Sequence, residues 1–243
     1  MANTKGTTRE LVYQILKSEI LSFTYQPGQG ISEYETAQKL QVSRTPVREA
    51  FIKLSQENLL DIFPQKGTYV TLIDSAQVEE SKFVRHTLER EIVQQACCSF
   101  PREELFQMQS HLVLQELCIE QENYMKFFEL DEALHGTLFR GCRKERTWLL
   151  LQQMNNHYNR VRVLNLSEGY DWVQLLHQHR ELLRAINEKN PELGLKVIDE
   201  HLNKVVFDLD HLKKHFEHYF VKHDDKIVEV SSFTKSMSLR NIR

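Results

Sequence analysis

Apolar residues recur at helical spacing in three short blocks near the N-terminus and in six longer ones after residue 74. Leu11, Val12, Ile15, Leu16, Ile20 and Phe23 form one stripe, which stops at Tyr25-Gln26-Pro27-Gly28-Gln29-Gly30. Ser32, with Glu35 three residues on, predicts a capped start for a short helix ending near Leu40. After the turn Gln41-Val42-Ser43, the residues Val47, Ala50, Phe51 and Leu54 fall at i, i+3, i+4 and i+7 and predict a third helix with an inward face. Thr45 is expected to cap that helix and Pro46 to take its first helical position. Two β-favouring runs, Leu59 to Phe63 and Thr68 to Leu72, flank Pro64-Gln65-Lys66-Gly67 and predict a hairpin with a basic tip. Together these elements make a winged helix-turn-helix.

From Asp74 onward the spacing is helical almost throughout, with helices expected at about 75–99, 102–120, 122–141, 145–166, 171–189 and 191–219. Phe100-Pro101, Gly141, Ser167-Glu168-Gly169 and Asn190-Pro191 supply the breaks. No alternating pattern is long enough for a second sheet. The predicted fold is therefore mainly α: a winged helix-turn-helix over residues 1–73, an antiparallel α-helical bundle over 74–219, and a polar C-terminal tail over 220–243.

Composition narrows the function classes. The chain has 243 residues, 41% apolar and 27% charged, as in a globular protein. No run approaches the roughly 18–20 apolar residues of a membrane span, and Met1 to Thr8 lacks the apolar core of a signal peptide. A cytoplasmic protein with no membrane partner is expected. Cys97, Cys98, Cys118 and Cys142 show no CxxC pairing, so a zinc ribbon or thioredoxin-type site is not expected and reduced thiols are. The net charge of −3 divides into +1 over residues 1–73 and −4 over the rest. A nucleic-acid reading must therefore rest on where charges stand, not on the overall field.

Two placements stand out. Ser43, Arg44, Thr45 and Arg48 are held at the outward N-terminal end of the third helix, where a recognition helix meets base edges and phosphates in a DNA major groove. The second placement lies in the bundle, where ionisable residues interrupt apolar stripes. One stripe reads Tyr124, Phe127, Phe128, Asp131, Leu134, His135, Leu138 and Phe139; the next Trp172, Leu175, Leu176, His179, Leu182, Leu183 and Ile186; the last Val197, Ile198, His201 and Leu202. Asp131 and His135 are one helical turn apart on one face. A carboxylate and three imidazoles from three inward faces suit a divalent metal, and the oxygen and nitrogen donors fit Zn, Ni, Mn or Fe. Taken singly, each histidine is more readily a satisfied core imidazole than a ligand; four polar intrusions together are harder to dismiss, because unpaired buried polar groups are costly. A tetrahedral zinc would be structural, whereas an octahedral ion would keep positions for water or an organic acid. His111, His157, His177, His211, His215 and His218 are read as surface residues or helix-end partners.

These motifs resemble the GntR family of bacterial transcription regulators, specifically the FadR-type branch with an all-helical ligand-binding (FCD) domain. The resemblance runs over nearly all of residues 8–215. It rests on Pro27-Gly28, the block from Ser43 to Ala50, Gly67 with Val70, Arg85 with Glu89, and the four metal-ligand candidates. It implies a non-enzymatic repressor or activator, a homodimer on a palindromic double-stranded operator, and a small carboxylate effector bound beside the metal. Arg44, Thr45 and Arg48 match its recognition-helix contacts; Lys66 and Gly67 match the wing tip that enters the minor groove. Tyr34 stands where some relatives carry a DNA-contacting arginine, and Gln41 where a glycine is usual. If Gln41 has a positive φ it costs up to about 1 kcal/mol relative to glycine.

Arg85 is the foremost candidate to clamp the effector's carboxylate, with an i, i+4 ion pair to Glu89 as the alternative. Asn159 and Arg162 are further pocket candidates. Two other functions share these residues: a metal-dependent bundle enzyme fused to a DNA-binding module, and a regulator for which the metal is itself the signal. Against the enzyme, no spare Glu, Asp or His stands on the apolar stripes to act as general base.

Overall fold

Thr7 starts α1 (Thr8–Leu21) by accepting the Glu10 amide, and the helix buries Val12, Tyr13, Leu16 and Ile20. Leu11, expected on that inward stripe, is 59% exposed. Tyr13 takes the inward position instead, and its hydroxyl donates to the Glu57 carboxylate at 2.7 Å. The computed structural model describes residues 7–169, 171–207 and 209–222. Ser32 caps α2 (Glu33–Leu40) through the Glu35 amide at 3.4 Å. Helix α3 (Arg44–Gln56) begins earlier than expected: Ser43 is its N-cap residue, and Thr45 and Pro46 lie inside the first turn, so Thr45 is not the cap. Proline lacks only an N–H that the whole first turn leaves unbonded, so it marks that turn without fixing its own place in it.

The sheet has three antiparallel strands, β1 (Gly30–Ile31), β2 (Leu60–Phe63) and β3 (Gly67–Val70), in the order β1-β3-β2. Gly30 faces Tyr69, and Leu60 faces Val70. The two-residue β1 is too short to leave an alternating pattern. The faces of α1 and α3 close over Leu59, Leu60 and Val70 as one core.

Gln41, which ends α2, sits at φ 54° and ψ 41°, the left-handed conformation anticipated for it. Its side chain is exposed and its N–H still caps the helix. Gln41→Gly should therefore raise stability in urea unfolding by up to about 1 kcal/mol.

The bundle contains α4 (Ser75–Cys98), α5 (Arg102–Glu120), α6 (Tyr124–Gly141), α7 (Glu145–Met154), α8 (Asn156–Ser167), α9 (Trp172–Asn187), α10 (Pro191–Phe207) and α11 (Leu209–His215). Asp74, Asn123 and Asp171 cap α4, α6 and α9 through side-chain oxygens. Ile92, Val93, Met108, Leu134, Phe139, Leu182 and Ile198 lie in the main core, drawn from α4, α5, α6, α9 and α10.

The helix expected at 145–166 is two helices. Asn155 lies at φ −81°, ψ 5°, and Asn156 beside it turns its amide to the Glu57 carbonyl at 2.9 Å. That contact to the N-terminal domain interrupts the helix, and apolar spacing cannot register it. The helix expected at 191–219 is likewise divided into α10, α11 and a 3-10 turn at Glu217–Tyr219. Phe220, assigned from sequence to the polar tail, is buried beside Ile73, whose amide donates to the Tyr219 carbonyl at 2.7 Å. The tail from residue 223 onward lies outside the described residues. Among the described residues no helix is long and apolar enough to cross a membrane. All four cysteines are free, and burial raises the Cys97 thiol to about 11.

Candidate nucleic-acid interface and metal centre

The packing of α3 decides what it shows to solvent. Val47, Ala50, Phe51 and Leu54 are buried, which leaves Ser43, Arg44, Thr45 and Arg48 exposed on the other side. Arg44, Thr45 and Arg48 line an open groove of about 620 Å³ with Glu33, Glu49 and Ile52. The Arg44 guanidinium lies 3.3 Å from the Glu33 carboxylate. Lys66 and Gly67 are exposed at the hairpin tip, where Gly67 adopts φ 115° and the Tyr69 hydroxyl donates to the Lys66 carbonyl at 3.1 Å. Glu33 and Glu49 temper the positive field of the reading face, a feature that the arginine pattern alone does not convey.

In the bundle, Asp131, His135, His179 and His201 converge. One donor atom from each lies within 4.8 Å of the others, and all four residues are buried. Each imidazole is oriented from behind. His135 Nδ1 is 2.6 Å from a Glu89 carboxylate oxygen, His179 Nδ1 is 2.9 Å from Gln115 Oε1, and His201 Nδ1 is 3.1 Å from Gln178 Oε1. Those oxygens only accept, so the protons sit on Nδ1 and the lone pairs on Nε2. His135 Nε2 and His201 Nε2 then face each other at 3.2 Å, and His179 Nε2 stands 3.3 Å from Asp131. Facing lone pairs repel, and a cation between them removes the conflict.

Burial pushes His179 and His201 below the ordinary histidine value, and so favours the neutral form that ligates. Burial alone would raise the Asp131 carboxyl, but Arg162 and His135 hold it well below the ordinary value. The donor set fits a divalent transition metal. Sequence spacing singled out the four clustered residues but not Gln115 and Gln178, which are ordinary polar residues in one dimension.

Arg85 makes the i, i+4 ion pair to Glu89. Its Nε donates to Glu89 at 2.6 Å, and its Nη1 donates to Glu132 at 3.1 Å. Arg162 donates to Asp131 and to Glu132, and also to Asn159 Oδ1 at 3.0 Å. Asn159 is thus a support for Arg162. Arg85, Asp131, Tyr158, Arg162 and His201 line a cavity of about 30 Å³. Buried Glu89 is held down to about 2 because His135 and Arg85 outweigh its desolvation.

Helix α8 is buried from Asn156 to Leu166, and it contacts both the bundle cavity and the N-terminal domain. Tyr158, Arg162 and Asn165 face the cavity. Asn156 holds the carbonyl of Glu57, the C-cap of α3, and Arg160 donates to the Thr71 carbonyl just after the wing at 2.8 Å. His157, read from sequence as a surface residue or helix-end partner, is buried, with its Nδ1 accepting the amide of Asp74, the N-cap of α4, at 3.2 Å. Domain packing encloses it, which its helical neighbours do not foretell. His177, His211, His215 and His218 are exposed, and His111 is half-buried near Thr137.

Comparison with known proteins agrees with this construction. Residues 8–70 match the family model "Bacterial regulatory proteins, gntR family", and residues 82–204 match the FCD domain. The HTH-type transcriptional repressor RspR of Escherichia coli strain K12 is 30% identical over 203 residues, covering 84% of this chain and 89% of RspR. The Nta operon transcriptional regulator of Aminobacter aminovorans is 27% identical, covering 81% and 87% of the two chains. Among solved structures, E. coli McbR/YncC superposes with a TM-score of 0.73 at 19% identity, covering 84% of this chain and 97% of that one. The fold and the reading face define a DNA-binding transcription regulator. The chain belongs to the GntR family and carries an FCD domain. It is not an enzyme, and the metalloenzyme alternative falls with that assignment.

Proposed function

We propose that the protein is a cytoplasmic, homodimeric repressor that binds a palindromic operator and responds to a small organic acid bound beside a divalent metal. Residues 1–73 read DNA through Ser43, Arg44, Thr45, Arg48, Lys66 and Gly67, and residues 74–219 bind the effector and dimerise. Asp131, His135, His179 and His201 hold the metal, which is Zn, Ni, Mn or Fe. Arg85 and Arg162 grip the carboxylate, with Asn159 orienting Arg162. When bound, the ion supplies Lewis-acid positions for carboxylate or hydroxyl oxygens. The observation that carries this reading is the set of three Nε2 lone pairs, each fixed by an Nδ1 partner, converging on Asp131 beside two buried arginines.

Helix α8 supplies the coupling. Its cavity side carries Arg162, and its other side holds the end of the recognition helix and the root of the wing. A shift of α8 on binding moves both DNA-reading elements, and a coupling of about 1–3 kcal/mol changes operator affinity 5–150-fold.

The test is a thermal-shift screen of sugar acids, dicarboxylates and hydroxy acids on metal-loaded and chelator-stripped protein. An acid at 100 times its dissociation constant should add about 2.7 kcal/mol of stability, and only with metal present. Equal stabilisation in stripped protein would overturn the metal's part. Operator binding that follows metal alone, with no acid, would make the ion itself the signal.

A further inference from the structure

Glu132 follows Asp131 on α6 and so stands off the apolar stripe. Its side chain is 11% exposed, walls the outer cleft and contacts two arginines that line the inner cavity. One carboxylate oxygen accepts from both Arg85 and Arg162; the other accepts from Gln152 Nε2 on α7 at 3.2 Å. Inside the arginine pair lies the 30 Å³ cavity. Outside lies an open cleft of about 340 Å³, walled by Glu132 with Gln107, His111, Arg140 and Gln152. The inner space is narrow, with room for about one or two waters. An acid that approaches both arginines from the outer cleft meets the position that Glu132 fills.

Charge points the same way. The guanidinium groups of both Arg85 and Arg162 close on one Glu132 carboxylate oxygen, so each pairs with it as a carboxylate partner. Exchanging one carboxylate for another leaves the arginines equally neutralised. Removing Glu132 without replacement leaves Arg85 with Glu89 and Arg162 with Asp131, and so weakens the neutralisation of both buried guanidinium groups.

We propose that Glu132 is a built-in surrogate for the ligand's carboxylate. It occupies Arg85 and Arg162 until a free carboxylate, entering through the outer cleft, takes its place and joins cavity to cleft. The inference rests on Arg85 and Arg162 being the acid site. Glu132 thereby sets the affinity threshold: the effector must outcompete an intramolecular carboxylate, and neutral compounds do not open the site.

Acetate is a sufficient probe, titrated into full-length, metal-loaded protein at constant ionic strength with thermal unfolding as the readout. Glu132→Ala vacates the position and should lower the melting temperature. Acetate should then restore it saturably, at concentrations at least tenfold below those that affect the wild type. Glu132→Gln keeps the size and the amide contact to Gln152 but lacks the charge, so it serves if the alanine variant does not fold. It too should bind acetate at least tenfold more tightly than wild type. Equal acetate midpoints in wild type and both variants would overturn the surrogate role and leave the acid site standing. No acetate response in any of the three would remove the acid site and its surrogate together.

Discussion

Arg48→Ala should abolish specific operator binding and leave the protein folded. The side chain is exposed, and the buried residues of α3 lie on the opposite face, so no core contact is lost. Such surface changes stay within about 0.5 kcal/mol of stability. A guanidinium that forks onto a guanine edge is worth about 1–3 kcal/mol of discrimination. In a two-fold dimer the substitution is made twice, giving a loss of about 2–6 kcal/mol if the half-sites act alike. Fluorescence anisotropy with operator and scrambled duplexes at one salt concentration checks it, because phosphate contacts alone vary steeply with salt. Unchanged discrimination between the two duplexes would refute the assignment of α3 as the reading helix.

Glu89→Ala should cost about 3–5 kcal/mol of folding stability. The carboxylate is fully buried between Arg85 and His135, and its removal leaves a buried guanidinium with only Glu132 to neutralise it. The pH dependence gives the same scale. Glu89 is near 4.5 in the unfolded chain and about 2 when folded. A lowered carboxylate contributes fully above the unfolded value and loses that contribution as pH falls from about 4.5 towards 2. The difference amounts to about 3 kcal/mol. Urea unfolding of chelator-treated protein should thus show wild type losing stability across that acid window, with Glu89→Ala lower at neutral pH and flatter below pH 4.5. Parallel pH profiles for the two proteins would contradict this assignment.

Periodicity made the α3 face, the wing and the buried Asp-His cluster legible, because each stands on an element with one buried side. Asp131, His135, His179 and His201 were found as polar residues on apolar stripes, and that signal needs only the helical period. The same reasoning could not read α8. That helix is enclosed on all sides, so it has no polar face, and Asn156, His157, Arg160 and Arg162 meet partners far away in the chain. The break at Asn155 is missed for the same reason. Glu132 escaped because it lies one position off the stripe and is defined by Arg85 and Arg162 from two other helices. The cap of α3 was misplaced by two residues because a serine, a threonine and a proline all suit a helix start, and local chemistry does not rank them.

The acids flanking the reading arginines have a consequence for the search along a chromosome. Glu33 and Glu49 stand in the same groove as Arg44 and Arg48, so the surface offers little surplus charge to an arbitrary stretch of duplex. Indiscriminate adhesion to bulk genomic DNA scales with that surplus. A DNA reader with such a face should hold arbitrary duplex weakly relative to its target, and the ratio of the two affinities governs how well it finds that target among competing sites.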